Sequence, residues 1–412
     1  MIETETTDYL IIGGGPAGYS ASKAIRELDM VKRVVLVTNE THLPYTRVPL
    51  TKNYLTGKLD RNHLFLSNKE FYNINKIQVL TGQNVLSLNT GNRTVELEDK
   101  QEITFDHLLL AVGGRARKLT ISGADLEGIY YLRTLDDCEN IKKQIDNHNR
   151  VVIIGGGFIG CEIAASFASK GLEAIIIEMG PFLLNMAIDE ETSVWITDYF
   201  AHHGIKLMMN TTVASFVGVN GRVTGVETKE GKIIPSDFVI VGIGVIPNIE
   251  LAQQAGLKTE KGIVVNEYLE TGANKIYAAG DVARFYCPFY ERQLRVEHYD
   301  VAVKQGRIAG FNMVGNKQAF TDLPYFFSTM FQLKVMMYGT MSEHNQVVRR
   351  GDLNLSKGFI QFYLENDRIN GFLAMNRSLE EVKVANSLTL KHPILNNPSM
   401  LSNESKDLKT LF

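Results

Sequence analysis

Two short glycine patterns carry the first chemistry in this chain: Gly13-Gly14-Gly15-Pro16-Ala17-Gly18 and Gly155-Gly156-Gly157-Phe158-Ile159-Gly160. In a Gly-x-Gly-x-x-Gly turn the first glycine allows the tight bend and the second lets the backbone approach a pyrophosphate. The third lets a helix pack close to its strand. Free N–H groups at the positive end of that helix then face the anion. An acidic residue about 20 positions on can accept hydrogen bonds from an adenosine ribose. At the second turn this is Glu178, 18 positions after Gly160. A carboxylate there suits a free 2′-hydroxyl and repels a 2′-phosphate. The next residues, Met179-Gly180-Pro181-Phe182, supply no cation. The second turn is therefore expected to take NADH rather than NADPH. At the first turn the corresponding positions are Asn39 and Glu40, and either can serve the ribose.

These turns need a strand before them and a helix after them. Tyr9-Leu10-Ile11-Ile12 runs into the first, a helical pattern continues through Ser20–Ile25, and Val34-Val35-Leu36-Val37 reads as a second buried strand. Val151–Ile154, a helix through Cys161–Ala168 and the strand Ala174–Ile177 repeat the arrangement. The turns start 142 residues apart (155 minus 13), too far for a solenoid repeat and suited to two nucleotide-binding domains. Gln78–Leu80, Arg93–Leu97 and Arg222–Glu227 read as antiparallel hairpins or meanders attached to the parallel sheets. From about Thr321 an aromatic and Met-rich character suggests a separate small α+β domain. The last fifteen residues are polar and are expected to be poorly ordered.

The chain has 412 residues, and at roughly 150 per domain two or three domains are expected. With 43 Lys+Arg against 46 Asp+Glu, the net charge of −3 gives no global basic excess for nucleic acid. No apolar run reaches the ~18 residues of a membrane span. The three cysteines, Cys138, Cys161 and Cys287, form no close pair, which argues against a disulfide framework and a thiolate metal site. No metal is expected. A reducing, cytoplasmic compartment is the simplest setting.

Further segments match a known pattern. Leu43-Pro44-Tyr45-Thr46-Arg47-Val48-Pro49-Leu50-Thr51-Lys52 resembles the Pro-Tyr-x-Arg-Pro-Pro-Leu-Ser-Lys block of the ferredoxin and rubredoxin reductases and apoptosis-inducing factor. Leu108–Arg117 resembles that group's Ala-Thr-Gly-x-x-Pro-Arg crossover, and Ile276–Ala283 its second flavin signature. The run from Arg295-Val296-Glu297-His298 to Asn312-Met313 is similar to apoptosis-inducing factor. Val48 and Val112 depart from the pattern at packing positions. The resemblance implies an α/β, glutathione-reductase-like fold of two Rossmann-like dinucleotide-binding domains and a small α+β C-terminal domain. An FAD-binding domain would comprise residues 1–115 and 246–320, an NAD-binding domain 116–245, and the C-terminal domain 321–412.

The resemblance also implies roles. Asp281 and Gly280 would contact the FAD ribityl or phosphate and Arg117 its pyrophosphate. Val85, Ala111, Gly113 and Gly244 would be further cofactor contacts, and Arg47 and Lys52 would lie beside the flavin. Glu162 would partner Lys52. A cation near the flavin is also reasonable on physical grounds, because reduced flavin carries negative charge near N1–C2=O. Glu297 and His298 would line the nicotinamide side. Direct hydride transfer needs stacking rather than a proton shuttle, so His298 is expected to position rather than to act as acid or base. Phe327 stands where the group often has Trp and would form an apolar lid.

Disulfide reductases on this scaffold need a dithiol near the flavin. Here His42-Leu43-Pro44-Tyr45 occupies the place where single-cysteine relatives carry theirs. Electrons are therefore expected to leave the flavin without a thiol. The expected activity is an FAD-dependent NADH oxidoreductase passing electrons to a ferredoxin or rubredoxin. Arg284, Arg292, Arg295, Lys304 and Arg307 are candidates for a basic docking patch. An NADH oxidase or quinone diaphorase and an NADH-responsive binding protein are the alternatives, and a homodimer is open.

Overall fold

In the computed structural model, which describes residues 4–342 and 344–410, the chain forms two compact units. The first comprises residues 1–47, 60–115 and 245–322. The second comprises residues 48–59, 116–244 and 323–412.

In the first unit β1 (Thr4–Ile12) leads through the glycine turn to α1 (Pro16–Leu28) and then to β2 (Val34–Thr38). Next come β3 (Ile77–Thr81), β4 (Val85–Asn89), β5 (Thr94–Leu97) and β6 (Glu102–Leu110). The sheet order is β3-β2-β1-β6-β5-β4, and the strand Ile276–Ala278 also pairs with β6. β1 is parallel to both β2 and β6, with Leu10 opposite Val35 and Leu108. All five residues of β2 are buried, as expected for a parallel strand covered on both faces. β3 pairs parallel with β2. Gln78–Leu80 is thus the edge of the parallel sheet, not an antiparallel hairpin, and its short, partly exposed run did not betray the partner. β5 is antiparallel to β4 and β6, as its alternation suggests. Helix Tyr299–Met313 lies against α1, where Gly306 approaches the Ala17 carbonyl so closely that a Cβ would sit 2.1 Å from it.

The second unit holds a parallel sheet ordered Lys206–Met208, Glu173–Ile177, Arg150–Ile154, Phe238–Val241, Ile129–Tyr130. Arg222–Thr228 is the centre of a separate antiparallel three-stranded sheet. Helix Phe158–Ser169 is buried almost throughout, which explains its continuous apolar sequence. The C-terminal part is a five-stranded antiparallel sheet carrying helix Leu379–Lys391. Its residues group with the second unit. Trp195 stacks on Tyr199 and meets Phe359 edge-on. Tyr363 donates to Asp189 at 2.8 Å, and Arg349 forks onto Glu191 at 2.9 and 2.6 Å.

The polar tail departs from expectation. Pro398–Ser402 and Leu408–Thr410 are 3-10 turns, with Leu401 and Leu408 buried in the C-terminal core. Arg350, itself buried, donates to the carbonyls of Leu401, Asn403 and Lys406 at 3.4, 2.6 and 2.8 Å. Two leucines and one guanidinium order a stretch whose composition reads as loose; Leu411 and Phe412 lie outside the described residues.

Candidate active site

In the first unit the three turn glycines do different work. Gly13 has φ +118° and a Cβ there would meet the Ala111 carbonyl oxygen at 2.1 Å. A Cβ on Gly18 would meet the Gly13 carbonyl oxygen at 2.0 Å, so the third glycine is a packing requirement. A Cβ on Gly15 would meet nothing within 4 Å. It borders an open cradle. α1 begins there with Pro16 at its first position and no side-chain cap, leaving its first-turn N–H groups for an anion. By contrast, helices Leu135–Ile145, Glu190–His202 and Leu379–Lys391 are closed by Thr134, Asp189 and Ser378.

Other candidates of this unit gather around the Gly280–Asp281 turn. The Gly280 amide (φ +79°) donates to Oε1 of Gln305 at 2.9 Å. Gln305 is fully buried, and its Nε2 has no hydrogen-bond partner among the described residues. A buried amide donor left open beside the flavin signature fits a polar cofactor. Sequence reasoning missed Gln305, since a glutamine inside a helix gives no signal alone. Arg295 donates to the Asp281 carbonyl at 3.2 Å and pairs with Glu297 at 2.7 Å. His298 stands at the N-cap position of helix Tyr299–Met313 without a side-chain cap bond, and burial lowers its pKa to about 4, only partly opposed by Asp281. The imidazole is neutral near pH 7, which fits positioning rather than proton transfer.

Glu40 is already engaged: it accepts from the Tyr45 hydroxyl and the Arg47 guanidinium. Asn39 is exposed. Val85 opens β4, Ala111 is buried beside Gly13, and Gly113 has φ +58°.

The second unit repeats the cradle. Gly155 has φ +105° and a Cβ there would meet the Gly242 carbonyl oxygen at 2.5 Å. A Cβ on Gly160 would meet the Gly155 oxygen at 2.0 Å, and one on Gly157 would meet nothing within 4 Å. The Glu178 carboxylate accepts the Gly156 amide at 2.6 Å and the Gly180 amide at 2.7 Å. It is thereby aimed into the turn before any ligand arrives. Phe158 and Ile159 start the helix, and Phe158 packs on Phe326 at 4.4 Å. Phe327 is 37% exposed and stacks on Tyr325 at 5.8 Å. Arg117 is exposed, its amide bonded to the Gly244 carbonyl at 3.0 Å.

The same unit holds the pair Lys52–Glu162, at 2.6 Å with both side chains largely buried. Glu162 also accepts from Thr51 and, at 2.5 Å, from Ser328. Neither hydroxyl was singled out from the sequence, because they lie 111 and 166 residues away.

All three thiols are buried and unpaired with one another. Burial pushes Cys138 up to about 12 and raises Cys161 and Cys287 as well, so none offers a thiolate near pH 7. Among the described residues no cluster could hold a metal ion, and no helix is long and apolar enough to cross a membrane.

The basic patch expected on the first unit is largely neutralised. Arg284 pairs with Glu260 at 3.3 Å, Arg295 with Glu297, and Lys304 with Asp300 and Asp322 at 2.9 and 3.3 Å. Arg307 forks onto Glu27 at 2.8 and 2.7 Å, and Arg292 lies over the Tyr290 ring.

Two dinucleotide cradles, a lysine–carboxylate pair and no accessible thiol define an FAD-dependent pyridine nucleotide oxidoreductase. The family models agree. Residues 7–306 match the pyridine nucleotide-disulphide oxidoreductase model and residues 325–412 the reductase C-terminal model, and the chain belongs to this family. It is 33% identical to rhodocoxin reductase of Rhodococcus erythropolis over 400 residues, covering 97% of this chain and 93% of that one. It is 33% identical to putidaredoxin reductase of Pseudomonas putida over 408 residues, covering 98% and 96%. Among solved structures, the covalent putidaredoxin reductase–putidaredoxin complex matches with TM-score 0.94 at 32% identity, covering 98% of each chain.

Proposed function

We propose that this enzyme is an NADH-dependent reductase of a small iron–sulfur protein of the ferredoxin or rubredoxin type. The first unit binds FAD and the glycine turn of the second binds NADH. FAD, when bound, supplies the exchange between one two-electron donor and a one-electron carrier: a hydride accepted at N5, electrons released singly. The chain's own residues do the rest. Gly15 and Gly157 admit the two pyrophosphates, and the uncapped helix ends supply N–H donors. Glu40 accepts from Tyr45 and Arg47 and keeps further acceptor sites, so Asn39 or Glu40 would hold the FAD ribose. Asp281, steadied by Arg295, and Arg117 hold the rest of the FAD phosphate–ribityl chain, with Val85, Ala111 and Gly113 along it. Glu178 holds the NADH ribose, with Gly244 beside that cofactor. By the family resemblance Lys52, held by Glu162, would stand beside the flavin. By the same resemblance Glu297 and neutral His298, and separately Phe327, would face the nicotinamide.

The observation that carries this reading is two open glycine cradles in a chain whose every thiol is buried. The named acceptors of its relatives, putidaredoxin and rubredoxin, support the iron–sulfur class. Three free thiols support a reducing, cytoplasmic setting. The test is anaerobic titration of the purified yellow protein with NADH, then mixing with ferredoxin, rubredoxin, quinone or air. NADH should bleach the flavin, and an iron–sulfur carrier should restore it fastest. Fastest return with air or quinone would make it an oxidase or diaphorase. A persistent long-wavelength band with an NADH-dependent change of mass would make it a redox-responsive binding protein. Absence of flavin would end the reading altogether.

A further inference from the structure

A buried carboxylate is costly unless its oxygens are filled by charges or hydrogen-bond donors. Glu162 is 7% exposed, and three donors from two other chain segments converge on it. Lys52 Nζ lies 2.6 Å from Oε1 and Ser328 Oγ donates to the same oxygen at 2.5 Å, while Thr51 Oγ1 donates to Oε2. Thr51 ends the 3-10 turn Val48–Thr51, and Ser328 lies in strand Tyr325–Met330. Both are buried, at 8% and 2% exposure.

The turn carrying Thr51 is itself fixed to the helix carrying Glu162. Ser166, four residues after Glu162 and so on the same helical face, donates to the Thr51 carbonyl at 2.7 Å. Cys138 donates its S–H to the Leu50 carbonyl at 3.2 Å. A lysine stem has four rotatable bonds, and one ion pair leaves its ammonium free to swing about its partner. With donors on both oxygens, the carboxylate plane is fixed and the ammonium has one place to be.

We propose that Thr51 and Ser328 are positioning residues: a pair of hydroxyls that orients Glu162 so that the Lys52 charge acts on the flavin from a single position. The inference rests on the reading that Lys52 lies beside the flavin. It assigns a redox-tuning task to a serine of the C-terminal sheet.

The variants are Ser328→Ala, Thr51→Val, Thr51→Ser and Lys52→Met, each in the FAD-loaded full chain. The readouts are the flavin midpoint potential by equilibrium dye titration, the NADH charge-transfer band, and stopped-flow hydride transfer separated from NADH affinity. Ser328→Ala and Thr51→Val should each lower the reduced-to-oxidised ratio at fixed potential about tenfold, about 30 mV for a two-electron couple. Both should slow hydride transfer about tenfold with unchanged NADH affinity, and Thr51→Ser should stay within about twofold of wild type. An unchanged potential in both variants, when Lys52→Met does shift it, overturns the clamp alone. An unchanged potential in Lys52→Met overturns the placement of Lys52, and the clamp with it. If Ser328→Ala does not fold, Thr51→Val, which replaces hydroxyl by methyl at nearly equal volume, decides the matter by the same readouts.

Discussion

Removing the Glu178 carboxylate should change which nicotinamide cofactor the enzyme uses. A carboxylate offers about four acceptor sites. Two are already taken by the Gly156 and Gly180 amides, at 2.6 and 2.7 Å. That leaves about two for the ribose hydroxyls. Each hydrogen bond to a charged group is worth about 1.5–3 kcal/mol, less what water recovers. Glu178→Ala should therefore weaken NADH binding by about 2–3 kcal/mol, a 30- to 150-fold rise in Kd. A 2′-phosphate a few ångströms from the native carboxylate meets on the order of 4 kcal/mol of repulsion per unit charge near a protein surface. The same substitution removes that repulsion, so NADPH binding should hold or improve. Stopped-flow flavin reduction over a range of NADH and NADPH concentrations gives both affinities. Glu178→Gln is a useful companion, because its single carbonyl can satisfy only one of the two amides. A wild type that prefers NADPH, or a Glu178→Ala variant whose NADH affinity is unchanged, would refute the reasoning.

Gly15→Ala and Gly157→Ala should leave the melting temperature of cofactor-free protein within about 2 °C while weakening FAD or NADH binding, since their Cβ atoms enter open cradles. Gly18→Ala and Gly160→Ala should instead cost several kcal/mol of stability, on the order of overpacking a core, because a Cβ would stand 2.0 Å from a carbonyl oxygen. Differential scanning fluorimetry with and without cofactor separates the two cases. The depressed His298 pKa gives a definite pH dependence: the unfolded chain binds its proton near 6.5 and the folded one near 4, so stability holds above pH 6.5 and falls between them. At pH 4.5 this one group costs about 2.5 kcal/mol, and urea titrations at pH 7.5 and 4.5 should show a smaller loss in His298→Gln. Arg350→Ala should destabilise the protein by about 3–5 kcal/mol and expose the residues after Pro398 to proteolysis, because three carbonyls and Glu381 lose a buried partner. Arg307→Gln should change the rate with an iron–sulfur carrier less than about threefold at physiological salt, since its charge already meets Glu27; a tenfold loss would place the docking face there after all.

What the sequence disclosed was local. A Gly-x-Gly-x-x-Gly turn spans six residues, and its strand and helix lie directly beside it, so pattern and spacing suffice. What stayed hidden was decided by residues brought from afar. The five cations nominated for docking look like a patch until acids arrive, among them Glu27, 280 positions before Arg307. The edge position of Gln78–Leu80 depends on β2, some 40 residues earlier (78 minus 35 is 43). Composition misled only at the tail, where Leu401 and Leu408 are too sparse to register yet are fully used.

The interleaving of the two units has a consequence for how the protein is made. The sheet begun by β1 and β6 receives Ile276–Ala278 only after another 168 residues (276 minus 108) have left the ribosome. The second unit claims residues 48–59 from early in synthesis and residues 323–412 made much later. The first unit is complete only once residue 322 has been made and the second needs residues 323–412 beyond it, so each waits with an open sheet edge for much of elongation. Premature stops, or dissection at the glycine turns, should therefore yield aggregates rather than working modules, and expression should benefit from slow synthesis and chaperones that shield nascent strands.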